Sequence, residues 1–195
     1  ARPPPDRVPG VTLSFRILDG TLPYVGTELR SGWVHDQTGL PGDAAAGFVG
    51  PCDVPNANLV DLDDARAGEY IRAASMAHVI VEHPACSLAL AVLRQRILVA
   101  LLGEVLAERG TVARRDGDDL YYDGRKLTVS IAAPSSASSL IHLGINVDPA
   151  GAPVPAIGLR ELGVEPRALL QELLSRYATE LASAAHAVTK VRTVS

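Results

Sequence analysis

The chain has 195 residues and is 47% hydrophobic, enough for one globular domain with a sizeable core. Its 18 Lys+Arg against 22 Asp+Glu leave a net charge of −4, which argues against a general nucleic-acid or membrane-surface binder. Aromatic residues, at 4%, are too scarce for base-stacking platforms, and two cysteines (Cys52 and Cys86) cannot build a disulfide framework.

No signal-like segment is in view, and the most apolar run, Ile97 to Leu102, is far too short to span a bilayer, so a soluble cytoplasmic protein is expected. Residues 1–10, ARPPPDRVPG, read as an extended Pro-rich lead-in, with 11–195 as a single domain. Val11, Leu13, Phe15 and Ile17 alternate as in a strand with one buried face. Ala44 to Val49 predicts a second strand, closed by Gly50-Pro51. Asp61 to Ala67 and Ser75 to Glu82 read as short helices, with Asp61 and Ser75 as N-caps.

The strongest helix signal runs from Ser87 to Arg109. Leu88, Val92, Leu93, Ile97, Ala100, Leu101 and Val105 recur at helical spacing, Ser87 caps the start and Gly110 stops the end. Strands follow at Val112 to Arg115, Leu120 to Tyr122 and Lys126 to Ala132, the last two joined by an Asp123-Gly124 hairpin turn. Leu140 to Val147 is a further strand, and Pro166 opens helical sequence reaching Val188. The expected class is α+β: a mixed, largely antiparallel sheet with helices packed on one face.

The segment Asp118-Asp119-Leu120-Tyr121-Tyr122-Asp123-Gly124-Arg125-Lys126-Leu127 resembles the hairpin of biotin and lipoate protein ligases. His142-Leu143-Gly144-Ile145-Asn146-Val147 resembles the Gly-Ile-Asn-Val strand of the biotin ligases. Ile157 to Val164, followed by Ala168-Leu169-Leu170, is similar to the segment that opens their last catalytic-domain helix. Arg30-Ser31-Gly32-Trp33-Val34-His35-Asp36 resembles in part a lipoate-ligase loop in which an arginine precedes glycines and a His-Asp pair. The whole chain also resembles domain-of-unknown-function family 366, which has the same ligase-like fold. Gly42-Asp43, Gly50-Pro51-Cys52-Asp53, Val60-Asp61-Leu62 and Lys126 to Ala132 carry that match.

The resemblance implies an acyl-activating or acyl-transfer enzyme acting on a small carboxylic acid or its adenylate. ATP is implied if the chain adenylates, with Mg2+ as its companion, and the acceptor is a protein or a small amine. Lys126 takes the position of the ligase lysine that contacts the acyl carbonyl and the phosphate, where a compact charge with three donors suits the chemistry. His142 joins it as a candidate catalytic residue, as does Cys52 as a nucleophile. Arg30, Ser31, Asp119, Arg125, Ser130, Gly144 and Asn146 form the candidate binding set, Gly144 leaving room for a ligand. His83 and Cys86 offer a thiol–imidazole pair, and Arg94, interrupting an apolar helix, offers an anion-facing charge.

Two features depart from the ligase pattern. Gln37 to Gly42 lacks the paired arginines of the adenylate-wrapping loop, and Thr128-Val129 stands where the ligases carry a glycine. They motivate a second hypothesis, a non-catalytic small-molecule or nucleotide-binding protein of the same fold. A third is a metal-dependent hydrolase built on His78, Glu82 and His83, with His78 and Glu82 at i and i+4 on a helix face; no metal is otherwise implied. Homodimerisation is compatible with the fold and demanded by no residue.

Overall fold

The computed structural model describes residues 12–194; the Pro-rich lead-in and Val11 lie outside the described residues. Five strands form the main sheet in the order β1-β2-β3-β8-β7: β1 Ser14–Ile17, β2 Ala44–Val54, β3 Ile71–Pro84, β8 Ser138–Asp148 and β7 Thr128–Pro134. β1 runs parallel to β2, from Ser14 beside Ala44 to Ile17 beside Gly47, and the crossover between them carries the short helix α1, Trp33–Thr38. Every other pairing in this sheet is antiparallel. A small second sheet of β4 Arg114–Asp116, β5 Asp119–Tyr122 and β6 Arg125–Lys126 sits beside it.

The two long helices, α3 Leu88–Glu108 and α4 Pro166–Thr189, cover one face of the main sheet. Alternate residues supply that core: Ala77, Val79 and Val81 from β3, and Ile141, Leu143, Ile145 and Val147 from β8, against Leu98, Leu102, Leu170 and Leu174. The opposite face carries Phe48, Met76 and Ile80, packed against Tyr24 and against Trp33 and Val34 of α1. This face also holds the cavity described below.

Local chemistry explains most of the boundaries. Ser87 Oγ accepts from Leu90 N at 3.2 Å to cap α3, and Asp61 Oδ1 caps α2, Leu62–Ala67, by accepting from Asp63 N and Asp64 N. Asp123 and Gly124 both have positive φ (51° and 71°), the torsions a two-residue hairpin turn requires. Pro166 stands in the first turn of α4.

Three expectations need correction. Ser75 to Glu82 is not a helix but the middle of β3, the central strand. Both its faces are buried, so its apolar residues run continuously instead of alternating, and the β-branched run Val79-Ile80-Val81 favours the strand. Second, β2 does not close at Gly50-Pro51. It shifts register there and continues to Val54, while the Pro51 carbonyl accepts from Tyr24 N at 2.9 Å. Third, α3 buries Ala91, Gln95, Leu98, Val99, Leu102, Val105 and Leu106, leaving Leu88 and Leu93 exposed. The helix is apolar all round, so spacing alone does not single out its inner face.

Gly50 is where the crossover presses closest on the sheet. A Cβ there would lie 1.8 Å from the Leu22 carbonyl oxygen, a backbone atom that cannot rotate away. Gly50→Ala is therefore expected to destabilise the protein by about 3 kcal/mol or more, read as a lower urea midpoint at constant m-value. A midpoint equal to wild type would contradict this packing.

Candidate functional site

A cavity of about 440 Å³ opens on the face of the sheet away from α3 and α4, and Lys126, His142, Asn146, Ser130 and Asp119 line it together. These residues come from β5, β6, β7 and β8, so the hairpin and the sheet build one wall jointly. The other wall comes from the segment around α2, with Asn58, Asp61, Asp64, Glu69 and Tyr70.

The backbone of Lys126 is held on both sides. Its N–H donates to the Pro155 carbonyl at 2.9 Å, and its carbonyl accepts from Ile157 N at 3.0 Å and from Asn146 Nδ2 at 3.2 Å. The side chain is 27% exposed, and Nζ lies 2.8 Å from Asp119 Oδ2. Burial works against the ammonium, but the Asp119 hydrogen bond and charge, with Tyr121 and Asp64, hold the Lys126 pKa above its ordinary value. Burial raises Asp119 as well, with Lys126 opposing, and Asp119 Oδ1 is buried without a partner among the described residues. Lys126 thus enters the cavity as a fixed positive charge already half answered.

His142 is 2% exposed and stacked on Tyr24, with ring centroids 3.9 Å apart. Its Nε2 shares one proton with His78 Nδ1 at 3.2 Å. Burial lowers His78 to about 3, against the opposing pull of the Gly50 backbone, and no group meets hydrogen-bond geometry at His78 Nε2. Burial, then the proximity of His78, pulls His142 well below the ordinary histidine value. Both rings are neutral at pH 7, so His142 is a polar wall of the cavity rather than a cation.

The remaining candidates fall elsewhere. Cys52 is 1% exposed in the core between Tyr24 and Val54, and burial, then Asp53 and Glu28, push its thiol up to about 12, which removes it as a nucleophile. His83 is committed at both ring nitrogens, Nδ1 to Asp43 and Nε2 to Tyr177 Oη at 3.4 Å, so no thiol–imidazole pair with Cys86 forms. Arg94 reaches Asp43 at 3.4 Å and Cys86 Sγ at 3.7 Å in that same cluster, away from the cavity lining. Arg125 forms a bidentate pair with Glu161 at 2.9 and 3.0 Å, and Arg30 pairs with Asp36 at 2.9 Å. The space that Gly144 leaves is taken by Met76, whose Cε would lie 2.8 Å from an added Cβ.

Glu82 has a different task from the one its spacing suggested. One carboxylate gathers Ser31 Oγ at 3.1 Å, Gly32 N at 2.9 and 3.0 Å and Ser138 Oγ at 2.7 Å, strapping the loop before α1 to the sheet. On a strand, His78 and Glu82 are separated by about 13 Å, and His83 points to the opposite face. Among the described residues no group of three or more His, Cys, Asp or Glu is placed to hold a metal ion. The metal-hydrolase hypothesis falls with the helix it required.

Thr128 also proves harmless to a ligand. Its buried Oγ1 accepts from Leu120 N at 2.8 Å, tying hairpin to sheet, and only Val129 reaches the cavity. The wall residues around α2 had no motif to announce them. Asp64, Glu69 and Tyr70 enter only because the chain folds that segment over the hairpin.

The family model described as Domain of unknown function (DUF366) matches residues 13–192. An uncharacterized protein of Methanocaldococcus jannaschii is 34% identical over 176 residues, covering 87% of this chain and 80% of that protein. A solved protein of unknown function from Pyrococcus horikoshi is 37% identical, with a TM-score of 0.81 over 94% of this chain and 100% of its own. Biotin acetyl coenzyme A carboxylase synthetase from Helicobacter pylori, solved with bound biotinylated ATP, is 15% identical with a TM-score of 0.53, covering 91% of this chain and 81% of that one. At that identity the likeness is one of fold, and the fold is that of the biotin and lipoate protein ligases.

The buried histidines set a pH dependence. His78, His142 and His83 all have folded pKa values below the ordinary 6.5, so the folded state binds fewer protons than the unfolded chain. Their stabilisation is complete above about pH 6.5 and is lost as pH falls toward the folded values, at about 1.4 kcal/mol per pH unit for each ring. Unfolding free energy from urea titrations is expected to drop by at least about 2 kcal/mol between pH 7 and pH 5. His142→Asn should flatten the slope; equal stability at the two pH values would contradict the buried neutral pair.

Proposed function

The chain belongs to the Domain of unknown function (DUF366) family, and from that premise we propose that it is an acyl-activating or acyl-transfer enzyme for a small carboxylic acid or its activated derivative. The observation that carries this reading is the Lys126 ammonium, fixed at the wall of a cavity it shares with His142 and Asn146. An acyl oxygen beside Nζ would gain a charge-assisted hydrogen bond that strengthens as negative charge develops on it. Two of the three Nζ donors remain for this after Asp119 takes one. Asn146 acts through Lys126, holding the backbone carbonyl that orients the side chain.

A triphosphate fits this cavity poorly. Five carboxylates line it (Asp61, Asp64, Glu69, Asp118 and Asp119) against two cations, Lys126 and Arg72, and Arg72 is paired with Asp53 at 3.0 Å. The Gln37 to Gly42 loop supplies no arginine to change that balance. Acyl transfer from a ready-activated donor is therefore favoured over adenylation of a free acid. With both thiols outside the cavity lining, the acyl group would pass to its acceptor directly. The second reading, a binding protein of the same fold, draws on the same shortage of cations and nucleophiles.

Lys126→Ala is expected to reduce carboxylate or acyl-ligand binding by about a hundredfold or more while the variant still unfolds cooperatively. The fold should lose only about 1–2 kcal/mol, since the ion pair is half-buried. Calorimetric titration beside a urea melt separates the two effects, and unchanged affinity in the folded variant would dispose of the assignment.

A further inference from the structure

The polar groups of the cavity divide unevenly once their existing bonds are subtracted. Asn146 is 6% exposed, and its Nδ2 donates to the Lys126 carbonyl. That partner can only accept, so it fixes which end of the amide turns toward it and leaves Oδ1 as a free acceptor at the cavity. Asn58 repeats the arrangement: its Nδ2 donates to the Val25 carbonyl at 2.9 Å, and Oδ1 is left over. On the rim, Asp64 and Glu69 have no ion-pair partner among the described residues, whereas Asp118 is answered by Arg96 at 3.2 Å and Gln95 at 3.0 Å. Burial, then the charge of Asp61, raises the Asp64 pKa, with Lys126 opposing and Glu69 and Asp63 adding to the rise.

Negative charge therefore dominates the α2 side, with the Asn58 and Asn146 oxygens left as free acceptors at the cavity. Among the described lining residues the one cation without an outside partner is Lys126 on the hairpin side, whose charge also reaches Asp64. A plain fatty acid would leave the oxygen of the buried Asn146 side chain without a donor, which is costly, and would bring no counter-charge to Asp64 and Glu69, which are exposed at the rim. A protonated amine supplies three N–H donors and one positive charge in the space of a methyl group, which matches what the α2 side lacks. No group of three or more metal-binding side chains assembles there among the described residues, which disfavours a bare divalent cation as the counter-charge.

We propose that the natural occupant is an amino acid in the broad sense: a small carboxylic acid or acyl derivative that also carries a protonated amine. Its acyl end meets Lys126, and its amine sits among Asn58, Asn146, Asp64 and Glu69. This rests on the assignment of Lys126 to the acyl oxygen, and the two separate experimentally.

The test is calorimetric titration of the full chain with 6-aminohexanoate, lysine, hexanoate, hexylamine and Mg2+ alone. At least one of the two amino acids should bind about tenfold or more tighter than both hexanoate and hexylamine. An Asp64→Asn/Glu69→Gln double variant should bring it down to the level of hexanoate. Hexanoate binding as tightly as the amino acids would overturn the inference and leave the acyl assignment standing. Hexylamine binding as tightly as they do, with hexanoate silent, would keep the amine subsite and remove the acyl assignment. Silence from all the organic probes would remove both. Mg2+ binding that the double variant abolishes, with no preference for amines, would replace the ammonium by a metal.

Discussion

The hydrogen bonds that pin the backbone of Lys126 hold the site together. They arrive from the segment around Pro155 to Ile157 and from Asn146 of β8, which are far apart in sequence. A lysine at a free hairpin mouth would sample solvent; this one has its N–H and C=O both committed, so its side chain leaves the strand in a set direction. Asp119, on the neighbouring strand of the same hairpin, then holds the amine at the cavity wall. Removing any one of these bonds would loosen the charge from the place where an acyl group can use it.

The two faces of the main sheet divide the work. The helix face is a continuous apolar core between β3, β8, α3 and α4. Polar groups concentrate on the other face, and most find a local partner: Glu82 accepts from Ser31, Gly32 and Ser138, and His78 Nδ1 and His142 Nε2 share a hydrogen bond beside the ring of Tyr24. The groups left without protein partners among the described residues include those at the cavity, on Asn146, Asn58, Asp64, Glu69 and Asp119, with His78 Nε2 outside its lining. Functional capacity here is what remains after the fold has satisfied itself.

Part of this was legible in the chain. Asp123-Gly124 announced its turn by chemistry that only positive φ torsions satisfy, Ser87 and Pro166 announced helix starts, and the hairpin motif led to Lys126. The central strand was not legible, because burial on both faces erases the alternation that marks a strand, and Ser75 mimics a helix cap. The error propagated: two residues spaced for a helical metal site stand about 13 Å apart on a strand. The acidic wall was hidden for another reason. Asn58, Asp64 and Glu69 carry no motif, and only the docking of α2 over the hairpin brings them opposite Lys126. Cys52 resembled a nucleophile in sequence, whereas its reactivity is set by burial, which sequence does not report.

A crystal structure of the protein grown with a small carboxylic acid or a stable acyl analogue tests the central claim most directly. Density in the cavity with a ligand oxygen within hydrogen-bond distance of Lys126 Nζ, and the backbone at 126 and 155–157 unmoved, is the predicted result. A ligand seated elsewhere on the sheet, with Lys126 still paired to Asp119 alone, would contradict it.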